Sequence, residues 1–328
     1  MERKAAYVTL LTKSSYLPGV LVLEFTLRAV GSRYPLVVMV TPQLPAEARA
    51  VLARKNITTT EVASLGPPEG VHTLSLSDVR FSDTWTKLRC FGLTEYHVCI
   101  REAHVLRLSD AKALQRVILL DADMLVLRRM DELMDLELEK DWIAATHVCA
   151  CNPRRYPHYP ADWIPANCAY THLEHPIGLT SPSAITDSSP RPYSQLNSGL
   201  VVLNPSLHLF ESIQRHLCTS PLVATWSFPD QDLLSDLFRG KWKPLPWCYN
   251  ALKTLMLIHT PLWRDDEIRC LHYILPDKPW QKRVGVTDSG EYDKTHQWWW
   301  DNFELVEKEV RAMDEKGLEI ILSNVASL

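Results

Sequence analysis

The chain has 328 residues, 46% of them hydrophobic and 23% charged, a balance that supports a substantial core and excludes disorder along most of its length. A formal charge of -4, with Lys and Arg scattered rather than gathered, excludes a broad polyanion-binding surface, so no nucleic-acid partner is expected. Eight cysteines without a paired-spacing framework suit free thiols in a reducing compartment.

Met1-Glu2-Arg3-Lys4 passes at once into Tyr7 to Leu11, too short for a secretory h-region, and this run is expected to be the first strand. A helix from about Pro18 to Val30, a strand from Leu36 to Val40 and a helix from Pro45 to Arg54 follow, the alternation of βαβ units and a mainly parallel sheet. Val117 to Leu120 is a short buried strand that ends at Asp121, and ligands of such sheets sit beyond the carboxyl ends of their strands. From Cys149 to Ser194 the texture turns to Pro, Tyr, His and Ser, an irregular excursion expected to cover the site. A strand from Gly199 to Leu203 and helices from Pro205 to Leu217 and Gln231 to Phe238 come next. In the tail, Trp299, Phe303, Val306, Val310 and Met313 share one face of a helix that Gly317 is expected to end. No window approaches the ~18 apolar residues of a membrane span, and a cytoplasmic location is the expectation.

Asp121 and Asp123 stand between the apolar runs Val117-Ile118-Leu119-Leu120 and Met124-Leu125-Val126-Leu127. Carboxylates at i and i+2 after a buried strand converge once the chain leaves regular geometry, and burying both without a partner is costly. Hard oxygen ligands of this kind suit Mn²⁺ or Mg²⁺, whereas a solvated turn is the alternative reading of the pair. The eleven glycines form no Gly-x-Gly-x-x-Gly, no Gly-Lys-Ser/Thr and no Gly-x-Ser-x-Gly, which removes the dinucleotide, P-loop and hydrolase-elbow fingerprints.

Ordered motifs along residues 5 to 301 carry a family resemblance. They are Tyr7-Val8-Thr9, Tyr16-Leu17-Pro18-Gly19-Val20, Tyr34-Pro35-Leu36-Val37-Val38, Thr86-Lys87-Leu88-Arg89 and Leu120-Asp121-Ala122-Asp123. Further on come Leu196-Asn197-Ser198-Gly199, Pro229-Asp230-Gln231-Asp232, Leu245-Pro246-Trp247-Cys248-Tyr249-Asn250, Leu271-His272-Tyr273 and Lys278-Pro279-Trp280. In these the chain resembles the retaining glycosyltransferases of the glycogenin and galactinol synthase family, which have a GT-A fold.

The resemblance implies that Leu10, Thr12 and Tyr16 line the uracil and ribose site, with Tyr16 stacked on the base, and that Arg80 and Lys87 approach the donor. It implies that Asp121, Asp123 and His272 hold Mn²⁺, with Mg²⁺ as the alternative, and that Ala122 lies in the donor site. Lys278 would meet the diphosphate, and Asn197, Ser198, Asp230 and Gln231 would surround the transferred sugar. Asp230 is the one matched carboxylate nominated as nucleophile, and a covalent intermediate and front-face displacement both stay open. Taken singly, His272 and Lys278 read as a core histidine and a surface lysine, Asn197-Ser198-Gly199 as a turn, Asp230-Gln231 as a helix cap, and Tyr16 as packing on Pro18.

Departures bear on specificity. An insertion near His97 to Ala113 separates the Lys87 segment from the metal strand, and the glycine that precedes Lys-Pro-Trp in glycogenins is replaced in Ile274-Leu275-Pro276-Asp277. Likeness to galactinol synthases is densest from Pro229 to Trp280, while Asn197-Ser198-Gly199 and Asp121-Ala122-Asp123 are glycogenin forms. The implied activity is hexosyl transfer from UDP-galactose or UDP-glucose to a small polyol or sugar. The alternatives are a self-glucosylating initiator and a non-catalytic sugar-nucleotide-binding protein. A single α/β GT-A domain is expected, with a nucleotide-binding half over 1–123, an acceptor half over 124–290 and a helical tail over 291–328; a homodimer is compatible with it. Tyr156, Tyr159, Trp163 and Tyr170 of the excursion are candidates to hold a sugar acceptor.

Two clusters remain. Cys149, Cys151 and Cys168, near His147, His158 and His172, raise a structural zinc site, but Cys-x-Cys is not the usual knuckle and packed thiols are the favoured reading. Trp298-Trp299-Trp300 raises a carbohydrate platform, but the helical register favours packing, with Trp298 the most exposed of the three.

Overall fold

The computed structural model describes residues 4–72, 83–94, 99–102, 105–108, 114–157, 159–285 and 290–327. Near-continuous apolar, β-branched runs form the centre of the molecule: β1 (Ala5–Leu11), β2 (Leu36–Val40) and β6 (Arg116–Leu120) are buried on both faces, as strands of a parallel sheet covered on both sides must be. β3 (Thr58–Glu61) completes that block at one edge. β9 (Leu196–Leu203) follows β6, then β8 (Ile143–His147) and β10 (Trp242–Pro244), giving a seven-stranded sheet in the order β10-β8-β9-β6-β1-β2-β3. Only β9 runs against its neighbours, so the sheet is mainly parallel as expected.

One face is covered by α1 (Leu17–Ala29) and by the C-terminal helices α6 (Asp293–Met313) and α7 (Glu315–Leu322), with α2 (Ala46–Arg54) beside them. The other is covered by a 3-10 helix over Thr84–Gly92, α3 (Leu207–Thr219) and α4 (Pro229–Leu237). α1 is apolar almost all round because it lies between the sheet and α6. A separate antiparallel pair, β4 (Cys99–Glu102) and β5 (Val105–Leu108), falls in the insertion.

A small second sheet sets the site. β7 (Met124–Val126) leaves the Asp-Ala-Asp turn and pairs antiparallel with β12 (Cys270–His272), whose other side meets β11 (Ala251–Leu252). In this register His272 lies opposite Met124, and the Tyr273 N–H donates to the Asp123 carbonyl at 3.0 Å. A histidine far along the chain is thereby fixed beside the aspartate pair. α5 (Leu255–Ile258) follows β11.

The tail departs from expectation at its end. Gly317 does not terminate α6; Asp314 separates the two helices and caps α7 by accepting the Gly317 N–H at 3.0 Å. Met313, at the last turn of α6, is exposed rather than packed, because the chain swings away there to start α7. Trp299 and Trp300 are core residues, and Trp298 is half-buried.

Candidate active site

β6 and β9 pair with Leu120 opposite Leu200, and the Asp121 N–H donates to the Gly199 carbonyl at 2.9 Å. The end of β6 is thus held against the start of β9, and Asn197 and Ser198 belong to that strand rather than to a turn before it. Two glycines permit the approach of the surrounding layers. A Cβ on Gly19, in the first turn of α1, would lie 2.4 Å from the Ala122 carbonyl oxygen, and one on Gly199 would lie 2.3 Å from the His272 ring. α4 is tied to the same strand by the Leu196 N–H, which donates to the Ser235 hydroxyl at 3.1 Å.

These elements bring one charged cluster together. Lys87 Nζ lies 2.9 Å from Asp121 Oδ1 and 2.6 Å from Asp230 Oδ2, and 3.2 Å from the Ser198 hydroxyl. Ser198 in turn donates to Asp230 Oδ2 at 2.6 Å, and Asn197 donates to Gln231 Oε1 at 3.2 Å. Lys278 pairs with Asp123 and donates to the Tyr273 carbonyl at 2.7 Å. Burial opposes the charge of Lys87, but Asp121 and Asp230 outweigh it and hold the ammonium above the ordinary lysine range. Burial pushes the Asp121 carboxyl up, and Asp123 and Asp230 add to the shift against Lys87. Asp123 is also buried, yet Lys278 and His272 hold its carboxyl well below the usual range.

Asp121, Asp123 and His272 each offer a ligand atom, all within 4.8 Å of one another. His272 Nε2 stands 3.4 Å from Asp123 Oδ1 and 3.6 Å from Asp121 Oδ2, too far for strong hydrogen bonds. The spacing is slightly wider than the ~3 Å that separates neighbouring ligands of an octahedral ion with ~2.1 Å bonds. The other ring nitrogen, Nδ1, lies 2.9 Å from Asn250 Oδ1. Asn250, fully buried, donates to Asn197 Oδ1 at 2.8 Å and to Thr146 at 3.1 Å, so its oxygen is the acceptor for an Nδ1–H. Nε2 is left as a lone-pair donor facing the carboxylates, the usual support of a metal-ligating imidazole. The donor set fits a hard or borderline divalent cation. The three carboxylates here outnumber the two ammonium groups by one, and a divalent ion would reverse that sign for a diphosphate.

Lys87, Asp121, Asp123, Asn197, Ser198, Asp230, Gln231, His272 and Lys278 line a single cavity, together with Leu10, Thr12, Tyr16 and Ala122. Every residue anticipated for the metal, the donor and the transferred sugar is present there except Arg80, which lies outside the described residues. Tyr16 packs edge-on against Trp280 with centroids 5.5 Å apart. Thr12 donates to Asp83 at 3.1 Å, and Lys13 pairs with the same carboxylate at 2.6 Å. The excursion supplies the opposite wall through Arg154, Tyr156, Tyr159 and Trp163. Tyr170 is not part of that wall; it is buried and donates to the His147 carbonyl at 2.7 Å. Leu275, in the Ile274-Leu275-Pro276-Asp277 stretch, lines the cavity at φ 75, a left-handed conformation that disfavours a branched side chain.

Sequence reasoning had not assigned a role to Asn250. It sits in the Trp247-Cys248-Tyr249-Asn250 motif, but its link to His272 arises from the pairing of β11 with β12, which no local spacing reveals.

The sequence model of glycosyl transferase family 8 matches residues 7–283. The chain is 26% identical to galactinol synthase 3 of Arabidopsis thaliana over 304 residues, 92% of this chain and 81% of that protein. It is 25% identical to galactinol synthase 2 of Solanum lycopersicum over 329 residues, covering 98% and 84%. Among solved structures, the galactosyltransferase LgtC, in complex with donor and acceptor sugar analogs, superposes with a TM-score of 0.60 at 16% identity, covering 94% of this chain and 99% of LgtC. GlyE of Streptococcus pneumoniae TIGR4 superposes at 0.52 with 15% identity, covering 95% and 64%. The fold is that of the GT-A glycosyltransferases.

Proposed function

Because the chain belongs to glycosyl transferase family 8 and is a UDP-sugar-dependent hexosyltransferase, we propose that it moves galactose or glucose, with retention, to a small polyol or sugar in a Mn²⁺-dependent reaction. The observation that carries this reading is the meeting of Asp121, Asp123 and His272 with the Lys87–Asp230–Ser198 cluster in one cavity.

Leu10, Thr12 and Tyr16 receive the uridine, the Tyr16 ring against the base. Asp121, Asp123 and His272 hold the ion, Mn²⁺ or Mg²⁺, which when bound offsets charge on the departing UDP. Lys278 exchanges its pairing with Asp123 for the diphosphate and places a compact positive charge beside it. Asp230, Gln231, Asn197 and Ser198 surround the transferred sugar, with the Asp230 carboxylate held by Lys87 and Ser198 as the group that stabilises or attacks the reacting carbon. Tyr156, Tyr159 and Trp163 offer rings to the acceptor.

The acceptor assignment follows the likeness to galactinol synthases, which spans 92% of the chain in the Arabidopsis protein. It is tested by product analysis: UDP-galactose and UDP-glucose are supplied with myo-inositol and other small polyols, and the hexose is traced by mass spectrometry and its anomer by NMR. A free α-linked glycoside is expected. Hexose found only on the protein would show a self-glycosylating initiator, and binding without turnover would show a non-catalytic sugar-nucleotide-binding protein.

A further inference from the structure

We infer that this chain carries a structural zinc site, distinct from the aspartate pair, formed by Cys149, Cys151, Cys168 and His259. One ligand atom from each lies within 4.8 Å of all the others, and three of the four residues are buried while Cys149 is half-buried. His259 Nε2 stands 3.5 Å from Cys149 Sγ, 3.3 Å from Cys151 Sγ and 3.6 Å from Cys168 Sγ. Tetrahedral zinc with bonds of ~2.3 Å to sulfur and ~2.0 Å to nitrogen requires a sulfur–nitrogen separation of about 3.5 Å. The three measured separations bracket that value, and one imidazole nitrogen from a distant segment is approached by three thiols of the excursion.

Packed thiols do not account for this convergence. Small hydrophobes pack without aiming their sulfurs at a single ring nitrogen. The histidines nearest in sequence are otherwise placed: His147 Nε2 meets the Ser183 carbonyl at 2.8 Å, His172 is exposed, and His158 lies outside the described residues. The fourth ligand comes instead from His259, which caps the C-terminal end of α5. The His259 ring is held edge-on by Tyr170, with centroids 5.8 Å apart.

With all four positions filled by protein the ion has no open coordination site, so it is structural rather than reactive. Binding converts three thiols to thiolates and releases their three protons, leaving a complex of net charge -1. Its place gives it a function. Cys149 and Ile258, the neighbour of His259, both line the active-site cavity, so the ion ties the excursion that walls the acceptor side to the segment that follows β11.

The full chain, purified without chelator or added zinc and then dialysed free of loosely held metal, should contain one zinc per molecule by elemental mass spectrometry. Titration with a mercurial should release it as three thiols react. Cys151→Ser and His259→Ala should lose this zinc, and Asp123→Asn should keep it. Should those variants fail to fold, cobalt substitution of the unaltered protein reads the site directly, through a thiolate charge-transfer band and the intense d–d bands of tetrahedral cobalt. Absence of zinc together with an octahedral cobalt spectrum overturns the inference. So does zinc lost in Asp123→Asn but kept in Cys151→Ser, or a disulfide among the three cysteines in freshly purified protein.

Discussion

His272 takes its bearing from Asn250, so the amide is expected to matter without touching substrate. Asn250→Ala should weaken Mn²⁺ binding by roughly 10- to 100-fold, the usual effect of removing the partner of a ligating histidine. Excess Mn²⁺ should restore much of the activity; a loss that Mn²⁺ does not restore would contradict the positioning role. Tyr16 makes a different demand, because a ring stacked on uracil serves ground and transition states alike. Tyr16→Ala should raise the donor KM by about tenfold and leave kcat within a few-fold, and a collapse of kcat at unchanged KM would place the uridine elsewhere. The aspartate pair was legible in the sequence because two carboxylates between apolar runs demand a partner. Asn250 and His259 were not, since each acquires its role only when distant strands and loops are brought together.

At the scale of elements, the approach of β9 to β12 depends on one missing side chain. Gly199→Ala puts a methyl into the His272 ring, and overpacking of this kind costs about 1–3 kcal/mol. Thermal unfolding should move down accordingly, and metal-dependent activity should fall further than stability does; an unchanged Mn²⁺ response would show that the two strands can separate without harm. α4 carries a pH dependence. Burial pushes Asp232 up to about 7, with Asp230 adding to the shift against the Phe228 N–H that the carboxylate accepts at 2.8 Å. An unfolded aspartate ionises near ~3.9, so between about pH 4 and 7 the unfolded chain gives up this proton first and the folded protein loses stability as pH rises. Asp232→Asn keeps an acceptor for Phe228 and removes the titration. It should therefore gain on the unaltered protein by about 2 kcal/mol across that window, half the full linkage value because the side chain is half-buried. A stability difference flat with pH would contradict the shift. The apolar strands β1, β2, β6 and β9 and the helices α1, α2, α3, α4 and α6 were legible from their apolar runs and alternation, whereas β8 and α7 were not. β7, β10, β11 and β12 were not, because two or three residues carry no period and these strands exist only through pairing.

At the scale of the molecule, the parallel block β3-β2-β1-β6 brings Leu10, Thr12 and Asp121 to the cavity, and the reversed strand β9, with α4 and the small sheet, brings Asn197, Ser198, Asp230, Gln231 and His272 to the end of β6. The excursion from Cys149 to Ser194 forms the facing wall, as its composition suggested. Its aromatic content was legible, but which rings face the cavity was not: Tyr170 turns into the core to bond the His147 carbonyl, a choice set by tertiary packing. Described helices include none long and apolar enough to cross a membrane.

The central claim is that the aspartate pair holds the ion that drives transfer to a free acceptor. It is tested most directly by measuring UDP release from UDP-galactose and UDP-glucose, with and without Mn²⁺ and myo-inositol, for the unaltered protein and for Asp123→Asn. Release should require Mn²⁺ and accelerate with the polyol, and Asp123→Asn should lose on the order of 10²-fold or more while keeping its fold by circular dichroism. Turnover by the unaltered protein without any divalent ion, or near-normal turnover by Asp123→Asn, would contradict the account.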